Sequence, residues 1–386
     1  MTSTTIPNER ILELDGLRGL AILLVILAHF VFGYALDVFE PGTLPSYLIS
    51  CLRLTGTGVD LFFVLSGFLI AGILFRNKNT SNYYQVFYIR RFFRIVPLYA
   101  VLCLAYLICV HFFSNRFTYL IGDPVPWPYL STFTQNIQMA FSEGDSPFIG
   151  VTWSLAVEEQ FYLFFPLIVF MLPTKRLPAI LFMLVIAAIV FRTYFHYWHG
   201  WHPAFALTLC RMDSLFIGAL AAWYTQTERP PPFLKHIEWI LALTSLPMIY
   251  FTVRGQHPNT FATDVVSYTA YALFYCALIL LVIKEKDGAF SRIFRARFLV
   301  SLGTYAYAIY LIHVPVIGFI FSFVTTAPPK MKDWNSLGLM LLASVVVFYL
   351  AKLSWRFFEA PLIRYSKKWN YNVNVPETTT PSRGVV

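Results

Sequence analysis

The chain has 386 residues, of which 58% are hydrophobic, 18% aromatic and only 13% charged. Soluble domains carry about 25% charged residues, so this chain lacks the polar coat of a water-soluble fold and its composition predicts an integral membrane protein. The formal charge of +9 does not point to nucleic acid, because the basic residues are distributed among short loops between apolar runs.

Ten apolar segments approach the roughly 20 residues that a membrane-spanning helix needs. They are 17–36, 59–75, 92–113, 150–172, 178–195, 205–224, 236–253, 266–284, 302–324 and 336–358. The predicted fold class is therefore all-α, a polytopic transmembrane helical bundle of about ten spans. The first segment is expected to remain as a span rather than be cleaved, since acidic residues precede it and no small-x-small cleavage site follows. With the N-terminus inside, the inner segments hold 18 Lys and Arg, whereas the outer loops hold five: Arg53, Arg116, Arg254, Lys330 and Lys332. That bias predicts cytoplasmic termini in a cytoplasmic (inner or plasma) membrane.

Taken in order, the spans carry ionisable groups at depths where lipid would make them costly, so each is a functional candidate. The first contains LDGLRGLAILLVILAHF (14–30). His29 follows Arg18 by 11 residues, a rise of roughly 16 Å and about 20° beyond three turns, which places both on one face. Asp60 opens the second span ahead of LFFVLSGFLIAG (61–72), whose polar member is Ser66. At the mouth of the third, YIRRFFRIVPLY (88–99) sets Arg90, Arg91 and Arg94 close together, a grouping suited to phosphate. The fourth contains TWSLAVEEQFYLFFP (152–166), with Glu158 at about the depth of His29, roughly 12 Å from the outer edge. Arg211 and Asp213 in CRMDSLFIGAL (210–220) and His313 in YAYAIYLIHVPV (305–316) reach a similar level.

Each group also has a purely structural reading. His29 would bond a neighbouring helix, and Glu158 and Arg211 would pair with each other, with Asp213 capping them. His313 would bond the backbone that Pro315 frees, and the arginines would anchor lipid head groups. Taken together, the groups favour a wet cavity centred on histidine, which takes and returns a proton near neutral pH. Asp60, Ser66, Arg211, Asp213 and His313 are then candidate cavity-lining residues.

These motifs, with RFFEAPLIR (356–364), occur in an order that resembles the acyltransferase-3 family of membrane O-acyltransferases. The resemblance covers residues 10–366 and leaves 367–386 as a polar tail expected to be disordered. It implies an acyl-CoA co-substrate, usually acetyl-CoA, entering from the cytoplasm. The acceptor would be a hydroxyl on a carbohydrate, a lipid-linked sugar or a macrolide-type molecule. It carries over Arg18 and His29 as an essential pair, Arg91 and Arg94 as an Arg-x-x-Arg motif near the CoA site, and Glu158 or Glu159 as the acidic position. Many relatives add an SGNH hydrolase-like domain; none fits in this sequence, so direct transfer or hand-over to another protein is expected. His29 would act as general base or form an acyl-histidine, with Glu158 orienting its ring if the spans bring the two together.

Outside the spans, DPVPWPYLSTFTQN (123–136) offers Trp, Tyr, Gln and Asn side chains to a sugar or to the membrane interface. His196, His199 and His202 recur at threefold spacing, yet no second His-rich box completes a metal site, and no metal is expected. The five cysteines show no metal-type spacing either. A transporter or flippase using the buried charges as a path is the rival class, although no inverted repeat is visible.

Overall fold

The computed structural model describes residues 11–32, 52–142, 144–227, 231–254, 260–285, 288–325, 328–331 and 333–372. Cys51, the end of the first predicted span (33–36) and the predicted tail from 373 onward lie outside them. Helix α1 (Leu12–Leu27) continues into a π turn at Ala28–Phe32. There follow α2 (Gly58–Asn77), α3 (Tyr83–Phe113), α4 (Trp153–Met171), α5 (Leu177–His199) and α6 (Thr208–Gln226). The series ends with α7 (Ile237–Arg254), α8 (Ser267–Lys284), α9 (Arg297–Val324) and α10 (Trp334–Ser354). A second π turn, Trp355–Glu359, joins α10 to α11 (Ala360–Ser366).

The protein is a polytopic helical bundle. Eight helical segments among the described residues are long and apolar enough to cross a membrane. The other two predicted spans fall on α1 with its π turn and on α7. Backbone polar groups cannot be left bare in hydrocarbon, so each segment satisfies them within its own helix.

Two crossings organise the bundle around small residues. At the first, α1 meets α9, where a Cβ on Gly19 would stand 1.9 Å from the Leu299 carbonyl oxygen and one on Gly303 would stand 1.8 Å from that of Asp15. At the second, α2 meets α6, where a Cβ on Gly67 would stand 1.9 Å from the Leu215 carbonyl oxygen. Between membrane helices, backbone approach of this kind supplies the packing that the hydrophobic effect does not. Replacement of Gly67 by Ala is therefore expected to force α2 and α6 apart. It should destabilise the solubilised protein by at least the roughly 1–3 kcal/mol of ordinary overpacking, and an unshifted thermal unfolding curve would refute this crossing.

The central helices α2 and α6 are the most buried, whereas α3, α5 and α10 expose rows of large apolar side chains such as Leu104, Phe112, Phe182, Val190, Leu341 and Tyr349. Those outward faces suit lipid contact. The polar side chains of the bundle are turned inward, against one another.

Candidate active site

Five helices meet around a cavity of about 130 Å³. Arg18 comes from α1, Ser66 from α2, Arg91 and Arg94 from α3, Glu158 and Tyr162 from α4, and Tyr307 and Tyr310 from α9. Phe62, Leu69, Ile70, Ile95 and Leu155 complete much of the apolar wall. Such a concave, mainly apolar site with a few convergent polar groups is the usual form of a small-molecule pocket.

Three guanidinium groups mark one end. Arg18 lies 3.0 Å from Asp15 and keeps 35% of its side-chain surface exposed. Arg91 lies over the Tyr162 ring at 6.0 Å and Arg94 over the Trp355 ring at 5.6 Å. Among the described residues, no carboxylate forms an ion pair with either Arg91 or Arg94. Their charge is left available to the cavity. Helical spacing could not choose among the three arginines of α3, because Arg90 and Arg91 flank the direction of Arg94 on either side. Packing makes the choice. Arg90 turns away, donating from Nε and Nη2 to the Trp369 carbonyl at 3.1 and 2.7 Å and lying over the Tyr371 ring. The first residues of the predicted tail are thus docked on α3, with Trp369 also stacked on Phe93.

The middle of the cavity carries a carboxylate. Ser66 donates to one oxygen of Glu158 at 2.6 Å and Tyr162 to the other at 3.1 Å. Glu159 points elsewhere; its Oε1 is buried without a hydrogen-bond partner, and it is absent from the cavity wall.

Beyond Tyr310 lies a pair of histidines. The Tyr310 hydroxyl donates to the Val151 carbonyl at 2.7 Å, and its ring stands 5.9 Å from that of His313. His313 in turn meets His29 edge to face, with ring centroids 4.9 Å apart and planes at 75°. His29 sits in the π turn of α1, a distortion that recurs at functional sites, with Nδ1 2.8 Å from the Val25 carbonyl. No carboxylate contacts His29 among the described residues, since Glu158 is held by Ser66 and Tyr162. His313 does not bond the carbonyl that Pro315 frees, that of Leu311. Its Nδ1 donates instead towards Tyr310 and Ile309, at 2.8 and 3.2 Å.

The remaining buried charges form a separate network beside α2 and α6. Arg211 pairs with Asp60 at 2.6 Å and lies 3.7 Å from the Tyr268 ring centroid, so it is not the partner of Glu158. Asp213 accepts two bonds from Arg192 at 3.0 Å and one from Thr269 at 2.6 Å. Asp60, Arg211, Asp213 and His313 lie off the cavity wall; of the five candidate lining residues, Ser66 alone is on it. Sequence reading missed Arg192, although an arginine inside the apolar run 178–195 was a visible signal.

In the segment 123–136, Gln135 and Asn136 are spent on structure. Gln135 bonds Thr152, and Asn136 bonds the Ala206 carbonyl and Thr208. Trp127 and Tyr129 remain exposed. The three spaced histidines diverge: His196 faces Asp264 at 3.1 Å, His199 lies against Phe195 and His202 stacks on Trp201. Among the described residues there is no group of three or more His, Cys, Asp or Glu placed to hold a metal.

The family described as "Acyltransferase domain" matches residues 11–356, which include every wall residue of the cavity and both histidines. The chain belongs to this acyltransferase family. It is 30% identical over 383 residues to the peptidoglycan O-acetyltransferase OatA of Listeria monocytogenes, covering 93% of this chain and 57% of that protein. It is 28% identical to YrhL of Bacillus subtilis, covering 90% of this chain and 54% of that protein. The acyltransferase chain thus spans little more than half the length of these curated relatives. No solved structure matches it. Within the acyltransferase bundle, the arginines and the Ser66–Glu158–Tyr162 cluster share one cavity wall, and Tyr310 of that wall stands next to the histidine pair.

Proposed function

We propose that the chain is an integral membrane O-acyltransferase, moving an acetyl group from cytoplasmic acetyl-CoA to a hydroxyl of an envelope carbohydrate. The relatives' names favour peptidoglycan as that carbohydrate. The ten helices cross the membrane ten times with both termini in the cytoplasm, so the arginine end opens inward and His29 lies toward the outer leaflet.

One observation carries the reading: Arg18, Arg91 and Arg94 converge on a cavity that leads toward a histidine pair. Arg91 and Arg94, which form no ion pair with a carboxylate among the described residues, suit the phosphates of CoA. The roughly 16 Å rise from Arg18 to His29 along α1 suits a long, thin pantetheine arm passing between Phe62, Ile95 and Leu155. The thioester would then stand near the Tyr310 end of the cavity.

His29 is the general base. Its Nδ1 donates to the Val25 carbonyl, which leaves the Nε2 lone pair free to take a proton from the acceptor hydroxyl. The deprotonated oxygen attacks the thioester carbonyl, the carbon–sulfur bond breaks, and the leaving thiolate recovers the proton from His29. Glu158, anchored by Ser66 and Tyr162, holds a polar point midway along the cavity and positions the pantetheine amides.

Acyl-labelled CoA and a peptidoglycan fragment test the arginine assignment. In Arg91→Ala, KM for acetyl-CoA is expected to rise about 10–100-fold with a smaller change in kcat, the signature of lost ground-state binding. Arg90→Ala should raise it far less, because that side chain is engaged with Trp369. Equal effects of the two substitutions would remove the phosphate assignment. Absence of any donor turnover by the wild-type protein would remove the transferase reading.

A further inference from the structure

The proposal concerns His313 and rests on the acyl-transfer reading above. His313 is fully buried, and its ring meets His29 edge to face at 4.9 Å. Both Nδ1 atoms face backbone carbonyls of their own helices, at 2.8 Å from Val25 and 2.8 Å from Tyr310. A carbonyl only accepts, so Nδ1 carries the hydrogen in each ring and each Nε2 keeps a lone pair. At His313 that Nε2 is buried with no hydrogen-bond partner. A bare buried acceptor is destabilising, and a leucine or phenylalanine would fill the space without it. Packing therefore does not account for an imidazole at this position.

The neighbourhood indicates what the imidazole does. A reactive histidine is usually steadied by a third group, most often a carboxylate on its other nitrogen. Here that nitrogen is occupied by the Val25 carbonyl, and among the described residues no carboxylate reaches His29. Glu158 is engaged with Ser66 and Tyr162. Among the described residues, the polar side chain whose ring meets that of His29 is His313. Tyr310, three residues earlier on the same helix, both lines the cavity and accepts the His313 Nδ1–H through its carbonyl. His313 is thereby tied to the cavity wall on one side and to His29 on the other.

We infer that His313 is the positioning partner of His29, holding its ring in place and stabilising the imidazolium formed when His29 takes the acceptor proton. His29 Nε2 gains that proton as the acceptor oxygen bonds to the thioester carbon and the carbon–sulfur bond breaks. The proton then returns to the CoA sulfur. The positive charge rests on His29 between these two transfers, and the neutral His313 ring stays in edge-to-face contact with it throughout. The active dyad is then two histidines from α1 and α9, and the carboxylate of α4 has a separate task.

The test uses the full chain in proteoliposomes, with labelled acetyl-CoA as donor and CoA thiol release as the readout, in wild type, His313→Leu and His313→Gln. Thermal unfolding of each is recorded first, and His313→Phe replaces the Leu variant if the latter does not fold. The expected result for Leu is a fall in kcat of about 100-fold with KM for acetyl-CoA within about threefold of wild type. Gln, whose amide oxygen reaches the Nε2 position, should recover about tenfold of that loss. A kcat within threefold of wild type in both variants would overturn the inference. So would equal losses in Leu and Gln, which would mark a packing role. Wild-type protein that releases no CoA would instead overturn the acyl-transfer reading itself.

Discussion

The His29→Ala protein is expected to fold, to bind acetyl-CoA and to transfer essentially no acyl group. Loss of a general base costs about 10²–10⁴-fold in rate, which at 1.36 kcal/mol per factor of ten corresponds to about 3–5 kcal/mol of transition-state stabilisation. Folding should survive because His29 is only half-buried and its single hydrogen bond goes to the Val25 carbonyl, which also accepts from the Ala28 backbone. Donor binding should survive because the arginines line the cavity, whose wall does not include His29. The measurement is label transfer at saturating acetyl-CoA, beside thermal stabilisation by CoA alone. A kcat within twofold of wild type would eliminate His29 as the base. Parallel loss of CoA-induced stabilisation would show that the residue acts through the fold instead.

Asp213→Ala should produce the largest loss of stability of any single substitution considered. Arg192 and Asp213 are both fully buried, and Asp213 holds two of the guanidinium hydrogen bonds. Removing one member of a buried pair leaves the other charge uncompensated and costs about 3–5 kcal/mol. The expected fall in Tm is on the order of 10 °C. The doubly apolar Arg192→Met/Asp213→Leu protein should regain much of this, because two buried charges replaced together leave none exposed to the interior. Unfolding curves in detergent read both effects. A single variant as stable as wild type, or a double variant no better than the single, would contradict the account. The network joins α5, α6 and α8 through Cys210, Val265 and Thr269. Neither Arg192 nor Asp213 is on the cavity wall, so molecules that remain folded should turn over at near the wild-type rate.

The two predictions separate two kinds of buried polarity. Arg192 is paired with Asp213 and Arg211 with Asp60, each charge against an opposite one, and none of the four is on the cavity wall. Arg91, Arg94 and the His313 Nε2 are without such partners, and the first two face open space. Depth in the membrane alone does not distinguish these classes, which is why the sequence reading placed Arg211 and Asp213 among cavity candidates.

What the sequence determined by itself is local. A run of about 20 apolar residues must form a helix in lipid whatever surrounds it, so each of the ten predicted spans coincides, over its described residues, with a helical segment of the bundle. Polar residues such as Arg18, His29 and Glu158 stand out against that background, and their order along the chain was sufficient to indicate the family. The tertiary structure decided everything that depends on how far each helix is rotated and which neighbour it meets. It separated Arg90 from Arg91 and Arg94, which lie side by side in sequence, and it joined Asp60 to Arg211 across 151 positions. It gave Glu158 to Ser66 and Tyr162 and gave His29 to His313. The π turn at Ala28–Phe32, which resets the face on which His29 emerges, left no trace in hydropathy. Hydropathy reports the transfer of one segment into lipid; hydrogen bonds between side chains a few ångströms apart report the packing of several helices at once, through glycine crossings whose geometry no single helix contains.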